Sequence, residues 1–286
     1  MSLNNLKELE TGLIRNLQGG RLDRVDDNTL CWAPYRHGSI AILKQNSWTV
    51  ITRNSPIFFY SFDRDYMGNT LAHSTNYDVF AKYQDSTSFS LQLFPWSSDT
   101  VREEELQLVN GVWTLFNMRY LGTVRLRNNN GPCFTDSGLQ RLVVNFNNKL
   151  QKYVSADTWG STAWRVQSTS WVEFPNLSRP EFLCLDPSTS VFGSVALYRV
   201  SWSSGSTHYA DIGLGLNSVS SIAGTAITQN GQNQQTGSME AIGYGSPRFG
   251  WNWATVLVKL NVSVTYYWEY HAYNGEIGKV LLQVEV

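Results

Sequence analysis

The sequence predicts an all-β chain: two antiparallel sandwich or jelly-roll-like domains behind a short N-terminal helix. Three observations predict it. Short runs of alternating apolar and polar residues, punctuated by Asn-Ser, Asp-Ser and Asn-Gly pairs, occupy most of the chain, which is the two-residue period of half-buried strands. The 11 Trp, 14 Tyr and 13 Phe are many, and aromatic residues favour strands. Charged residues make up only 16% against the usual quarter, and 286 residues suffice for one large or two ordinary domains.

Leu3, Leu6, Leu9, Leu13 and Leu17, with Ile14 beside them, recur at steps of three and four, so Ser2–Asn16 reads as an amphipathic helix stopped by Gly19-Gly20. A helix this short is marginal alone. Its leucine stripe is therefore expected to bury against the body, against copies of itself in a homotrimer, or against another protein, making residues 1–22 an attachment segment. Residues 23–150 form the first β domain. Its expected strands are Ser39–Leu43, Ser47–Arg53, Ile57–Phe62, Tyr77–Tyr83, Ser88–Phe94, Gly111–Phe116, Tyr120–Leu126 and Arg141–Phe146. Asp99–Val109 is the one other helix candidate, with Glu103, Glu104 and Glu105 on a solvated side.

Residues 151–165 read as a linker holding Trp159 and Trp164, and residues 166–286 as a jelly-roll-like domain. Its clearest strands are Ser194–Trp202, Thr207–Leu216, Ala254–Val264, Thr265–Ala272 and Lys279–Val286. Val256, Val258, Leu260, Val262 and Val264 alternate with Lys259, Asn261 and Ser263, and Val280, Leu282, Val284 and Val286 repeat the device. Ile222–Gly250 is rich in Gly, Ser, Thr, Asn and Gln and suits long jelly-roll loops with a short strand or two.

Composition also excludes function classes. With 22 Lys+Arg against 23 Asp+Glu and a pI near 6.4, the chain has no net attraction for nucleic acid. No apolar run approaches the roughly 18 residues that span a bilayer, and Met1–Gly20 lacks the basic and apolar regions of a signal peptide, so neither membrane insertion nor export is expected. Cys31, Cys133 and Cys184 are odd in number and far apart, which predicts buried thiols and no metal site.

Motifs of chemistry are missing as well. No phosphate loop, nucleophile elbow or His-Glu-x-x-His occurs, and Gly213-Leu214-Gly215 lacks a third glycine. Asp63-Arg64-Asp65 reads as a turn. His37, His73, His208 and His271 are isolated, and the spacing of Asp157, Glu173, Glu181, Asp211, Glu240 and Glu269 singles out no glycosidase pair. No catalytic residue, cofactor or metal is expected. The run Tyr266–Tyr273 places aromatics on both faces of a strand. Tyr267 and Trp268, with Trp251 and Trp253, are therefore candidate contact residues for a neighbouring subunit or for sugar rings.

Leu17-Gln18-Gly19-Gly20-Arg21-Leu22 is followed in order by Ala33-Pro34-Tyr35, Gly38, Ile40-Ala41-Ile42, Trp48 and Asn76-Tyr77-Asp78-Val79-Phe80. Then come Asn110-Gly111-Val112, Arg119-Tyr120-Leu121-Gly122-Thr123, Asp136-Ser137 and Arg141–Asn148. Over roughly residues 17–165 this order resembles a family of virion structural proteins of tailed bacteriophages, of the tail or fibre type. The chain departs from it at Asp23 and Arg24, where small hydroxyl residues are usual, and at Leu142 and Val144, where aromatics are common. The resemblance implies a non-enzymatic virion protein assembled in the bacterial cytoplasm, with self, other virion proteins and a host surface glycan as partners. A fibre or spike-like appendage is the first expectation. A capsid decoration protein is the alternative within the particle, and a carbohydrate-binding or polysaccharide-degrading protein the alternative of another class.

Overall fold

The computed structural model describes residues 12–14, 17–45, 47–128, 131–160, 168–174, 178–201, 208–224, 227–231, 236–260 and 275–285. The first half contains β1 (Gly20–Asp26), β2 (Thr29–Pro34), β3 (Ser39–Lys44), β4 (Ser47–Thr52), β5 (Ile57–Tyr60), β6 (Asn76–Asp85), β7 (Ser88–Pro95), β8 (Gln107–Val109), β9 (Val112–Leu115), β10 (Met118–Asn128), β11 (Pro132–Phe134), β12 (Gln140–Arg141) and β13 (Val143–Asn145). The second contains β14 (Gln151–Gly160), β15 (Val172–Glu173), β16 (Glu181–Cys184), β17 (Val191–Ser201), β18 (His208–Leu216), β19 (Ile227–Gly231), β20 (Thr236–Gly245), β21 (Gly250–Leu260) and β22 (Gly275–Glu285). The expected all-β class is what the chain adopts.

Strand β10 is the spine of the N-terminal unit. One edge pairs with β6, while the other takes β9, β13 and β11 in succession. It is buried from Met118 to Leu126, as a strand covered on both faces must be. Gly122 fits here because a Cβ would stand 2.1 Å from the Val144 carbonyl oxygen. The core under this sheet gathers Leu22, Trp32, Ile40, Val79, Leu93, Leu121 and Phe134.

The C-terminal unit is an eight-stranded jelly roll. One sheet has the order β14-β22-β17-β20 and the other β16-β21-β18-β19, so apart from the β18–β19 hairpin chain neighbours alternate between the sheets, in two Greek keys. The core between the sheets is almost wholly aliphatic, with Val154, Val195, Leu197, Ile212, Leu214, Val256, Val280 and Leu282 among its members. The alternation expected over Ala254–Val264 is replaced in β21 by burial on both faces, since Ala254, Thr255, Val256, Leu257 and Val258 are all buried and only Lys259 is partly exposed; residues 261–274 lie outside the described residues.

The units share a wall. Leu142 and Val144 face the jelly-roll core, and Val143 between them faces the N-terminal core, because successive residues of a strand point to opposite sides. Strand β12 runs parallel to β16 on the jelly-roll sheet, two residues before β13 joins β10.

Three expectations are corrected. Residues 151–160 are no linker: they form β14, paired along its length with β22. Its alternation of Tyr153, Ser155 and Asp157 with Val154 and Ala156 is a faint signal, since Ser and Ala differ little in hydropathy. Asp99–Val109 is no helix: Ser97 and Ser98 close a turn on the Val101 carbonyl, and only Gln107–Val109 is regular, as a strand. Residues 17–22 are not separate from the body, because Gly20–Leu22 begin β1 and Gln18 bridges to Ile40.

Candidate functional site

The stretches that carry the family resemblance bind one another. Arg119, only 1% exposed, holds the segment before β1: its Nε donates to Gln18 Oε1 at 3.2 Å. Its Nη1 faces the carbonyls of Ile14, Leu17 and Ala41 at 3.0–3.2 Å. Burial draws this guanidinium down to a pKa of about 10, which leaves it charged at neutral pH. Asn145 pairs with the backbone of Leu22, accepting its N–H at 2.6 Å and donating to its carbonyl at 2.9 Å. Asn148 donates to the carbonyls of Gln18 and Gly20 at 2.9 and 2.6 Å, and Asn147 to Gln18 Oε1. Gly19-Gly20, expected to stop the helix, is clamped: a Cβ on Gly19 would meet His37, and one on Gly20 the Trp32 ring, both at 2.1 Å.

Of the leucine stripe, Leu13 is 62% exposed and Leu17 packs partly against Ile14, Ala41 and Val112; Leu3, Leu6 and Leu9 lie outside the described residues.

A second polar cluster lies beside the seam. Arg102 donates to Asp78 at 2.6 Å and to the Tyr120 hydroxyl at 3.1 Å. Tyr120 and Thr123 share a 2.6 Å hydrogen bond, and Thr123 donates to Asp78 at 2.6 Å, which closes the ring. Burial, reinforced by the Asp78 charge, pushes the Tyr120 phenol well above its ordinary pKa. A cavity of about 570 Å³ opens over this ring, walled by Trp113, Phe146, Leu185 and Phe249 and rimmed by the three glutamates 103–105. That volume lies within the range of small-molecule sites.

Trp251, expected on the distal surface, belongs to the seam. The Arg125 guanidinium stands 4.5 Å from its ring centroid, its N–H donates to Glu181, and its backbone N–H donates to Asp99. Phe249 stacks on Trp96 at 4.9 Å, and Arg127 pairs with Glu181 at 3.2 Å. Trp253 is half-buried beneath Arg179, 4.1 Å from its centroid. Tyr267 and Trp268 lie outside the described residues.

The aromatics that do face solvent were not singled out from sequence. On the outer face of the β14-β22-β17-β20 sheet, Tyr153 stands opposite Gln283, Gln283 opposite Phe192, and Phe192 opposite Tyr244. The three aromatics are 59%, 53% and 62% exposed. Phe192 lies between buried Val191 and Gly193, and Tyr244 follows buried Gly243. An exposed aromatic bracketed by inward-facing small or aliphatic residues was the available signal.

Four of the carboxylates considered for hydrolysis take separate cationic partners, Glu181 the Arg127 already named; Glu269 lies outside the described residues. Glu173 is held bidentately by Arg179 at 2.7 and 2.6 Å, Asp211 pairs with Lys259 at 3.1 Å and Asp157 with Lys279 at 3.5 Å. Asp63 and Asp65 accept backbone N–H groups of their own turn. Among the described residues no group of three His, Cys, Asp or Glu side chains could hold a metal ion, and no helix is long and apolar enough to cross a membrane. Cys31, Cys133 and Cys184 are free and buried; burial raises the Cys31 and Cys184 thiols above their ordinary pKa.

No family model matches the chain. No curated relative matches it either. Solved structures with some likeness include an exo-β-1,3-galactanase from Phanerochaete chrysosporium (9% identity, 93% of this chain, 68% of that one, TM-score 0.21). Others are an insecticidal delta-endotoxin from Bacillus thuringiensis (10%, 94%, 52%, 0.22) and infectious bursal disease virus, Gx strain (11%, 94%, 73%, 0.26). Scores this low carry no argument about function.

Proposed function

We propose that the chain is a structural protein of a bacteriophage particle, a fibre or spike-like appendage held by its N-terminal segment and making contact through its jelly roll. The observation that carries this reading is the row of exposed aromatics on the outer sheet of the jelly roll. Exposed aromatic side chains are the usual anchors of a protein or sugar contact, and here they stand side by side on the solvent-facing side of one β-sheet. Support also comes from the stretches that resemble virion proteins. Leu17–Leu22 and Asn145–Asn148, two of those stretches, form one hydrogen-bonded lock. Jelly rolls recur in viral capsid and lectin domains, a fold-level analogy only. Burying the leucine stripes of three copies around an axis gives the homotrimer its physical motive.

The capsid decoration reading is favoured by a second adhesive patch. Phe58, Tyr60 and Phe62, on and just after edge strand β5, are all exposed on the N-terminal unit, and clamping two neighbours requires two surfaces. Deleting residues 1–11 in the phage tests attachment while sparing Ile14 and its carbonyl on Arg119. The expected result is a folded chain that no longer enters particles. Normal incorporation places attachment in the β units and favours decoration of the capsid.

A further inference from the structure

We infer that the jelly roll binds a neutral oligosaccharide on the outer sheet, seated on Phe192 and Tyr244 and reaching into the recess beside them. The recess holds about 300 Å³ and lies where the end of β14 meets the turn before β17. Gln151, Gln283, Thr189 and Ser190 supply its polar groups, and none of the residues lining it is charged. Such a lining offers nothing to repay the desolvation of an ionic ligand, whereas a neutral polyhydroxylated one loses little on entering.

Hydrogen bonds already made define what remains for a ligand. Gln283 Nε2 donates to Gln151 Oε1 at 2.9 Å, which leaves Gln283 Oε1 as an acceptor and Gln151 Nε2 as a donor. Thr189 donates its hydroxyl proton to the Asp186 carbonyl at 2.7 Å, so its oxygen presents lone pairs. Donor and acceptor thus stand side by side, the pattern that vicinal sugar hydroxyls satisfy. The aromatic faces supply the other half of the match, since a pyranose ring shows an apolar C–H face at right angles to its hydroxyl rim. From Tyr153 to Tyr244 the row crosses three strand spacings, about 14 Å, the footprint of a short oligosaccharide rather than a single ring.

The inference rests on the jelly roll being the contact unit, and its test is independent of particle assembly. The full-length chain is run through native gels containing dextran, galactomannan or mixed-linkage β-glucan, with hyaluronan as the anionic contrast, and binding is confirmed on an array of neutral microbial oligosaccharides. At least one neutral glycan is expected to retard it. Phe192→Ala and Tyr244→Ala should each weaken retardation at least about tenfold, and Gln283→Ala should weaken it too. Phe62→Ser, on the N-terminal unit, should leave it unchanged. Because all these side chains are at least partly exposed, unaltered thermal unfolding separates lost binding from lost fold. No retardation by any neutral glycan, retardation by hyaluronan alone, or full binding by Phe192→Ala and Tyr244→Ala overturns the inference. The chain's place in the particle, read from the deletion of residues 1–11, stands or falls separately.

Discussion

The two halves of the molecule hold their shape by different means. The N-terminal unit is tied by buried polar groups: Arg119 on three carbonyls, Asn145 on Leu22, and the closed ring of Asp78, Arg102, Tyr120 and Thr123. The jelly roll is filled mainly by aliphatic side chains, with Phe174 and Phe182 among them, and its buried polar groups among the described residues are fewer: Glu181, Asp211, Asn252 and Thr255. Apolar packing tolerates exchange of similar volumes, whereas a satisfied polar network demands particular donors in particular places. The difference teaches where sequence is constrained. The N-terminal unit needs its donors and acceptors in place, whereas the jelly roll can vary among apolar residues of similar volume.

The largest expected effect comes from conservative exchanges in each unit. Arg119→Lys keeps the charge but loses the fork that reaches Gln18 and three carbonyls together, and should cost on the order of 3 kcal/mol in denaturant unfolding. Leu282→Met in the jelly-roll core should cost less than about 1.5 kcal/mol. Equal costs would erase the contrast between the units.

A smaller effect is expected at the shared wall. Val144→Phe restores the aromatic character of the resembled family at a position 1% exposed in the jelly-roll core, where the extra volume has no space. A loss of about 1–3 kcal/mol is expected. Because Val143 beside it faces the other core, fluorescence and far-ultraviolet circular dichroism should report one shifted transition. Two separated transitions would show that the wall does not couple the units.

The smallest effect is electrostatic. Asp85 in the β6–β7 turn is held down to a pKa of about 2 by the Ser88 hydroxyl, then by the Thr87 N–H and hydroxyl. A depressed folded-state value contributes stability above the unfolded value of 3.8 that fades as pH falls from there toward 2. Asp85→Asn should flatten the acid limb of the stability curve between those values and leave the curve above pH 5 parallel to that of the parent. The carboxylate is fully exposed, so the change should be slight and should shrink in salt.

Much of the fold was legible because burial on one face writes a period of two, as in Ser88–Leu93. Strand β14 escaped because Ser155 and Ala156 blur that period. The locks escaped for another reason: Arg119 reaches the Ile14 carbonyl 105 residues away, and nothing local marks such a bond. The two arginines inside the stretch Met118–Leu126, Arg119 and Arg125, were the hint, since a buried charge must have partners. The contact surface was only half legible. Trp251 drew attention by size, yet its environment is the seam, while Phe192 and Tyr244 form a row only once distant strands lie side by side.

The proposed structural role in a phage particle is tested most directly by a quantitative protein gel of particles purified from the source of the gene. A 32.4 kDa band present at tens of copies per particle is the expected result for a fibre or spike-like appendage. Hundreds of copies, scaling with the capsid subunits, would move the protein to the capsid surface. Its absence from purified particles would contradict a virion role altogether.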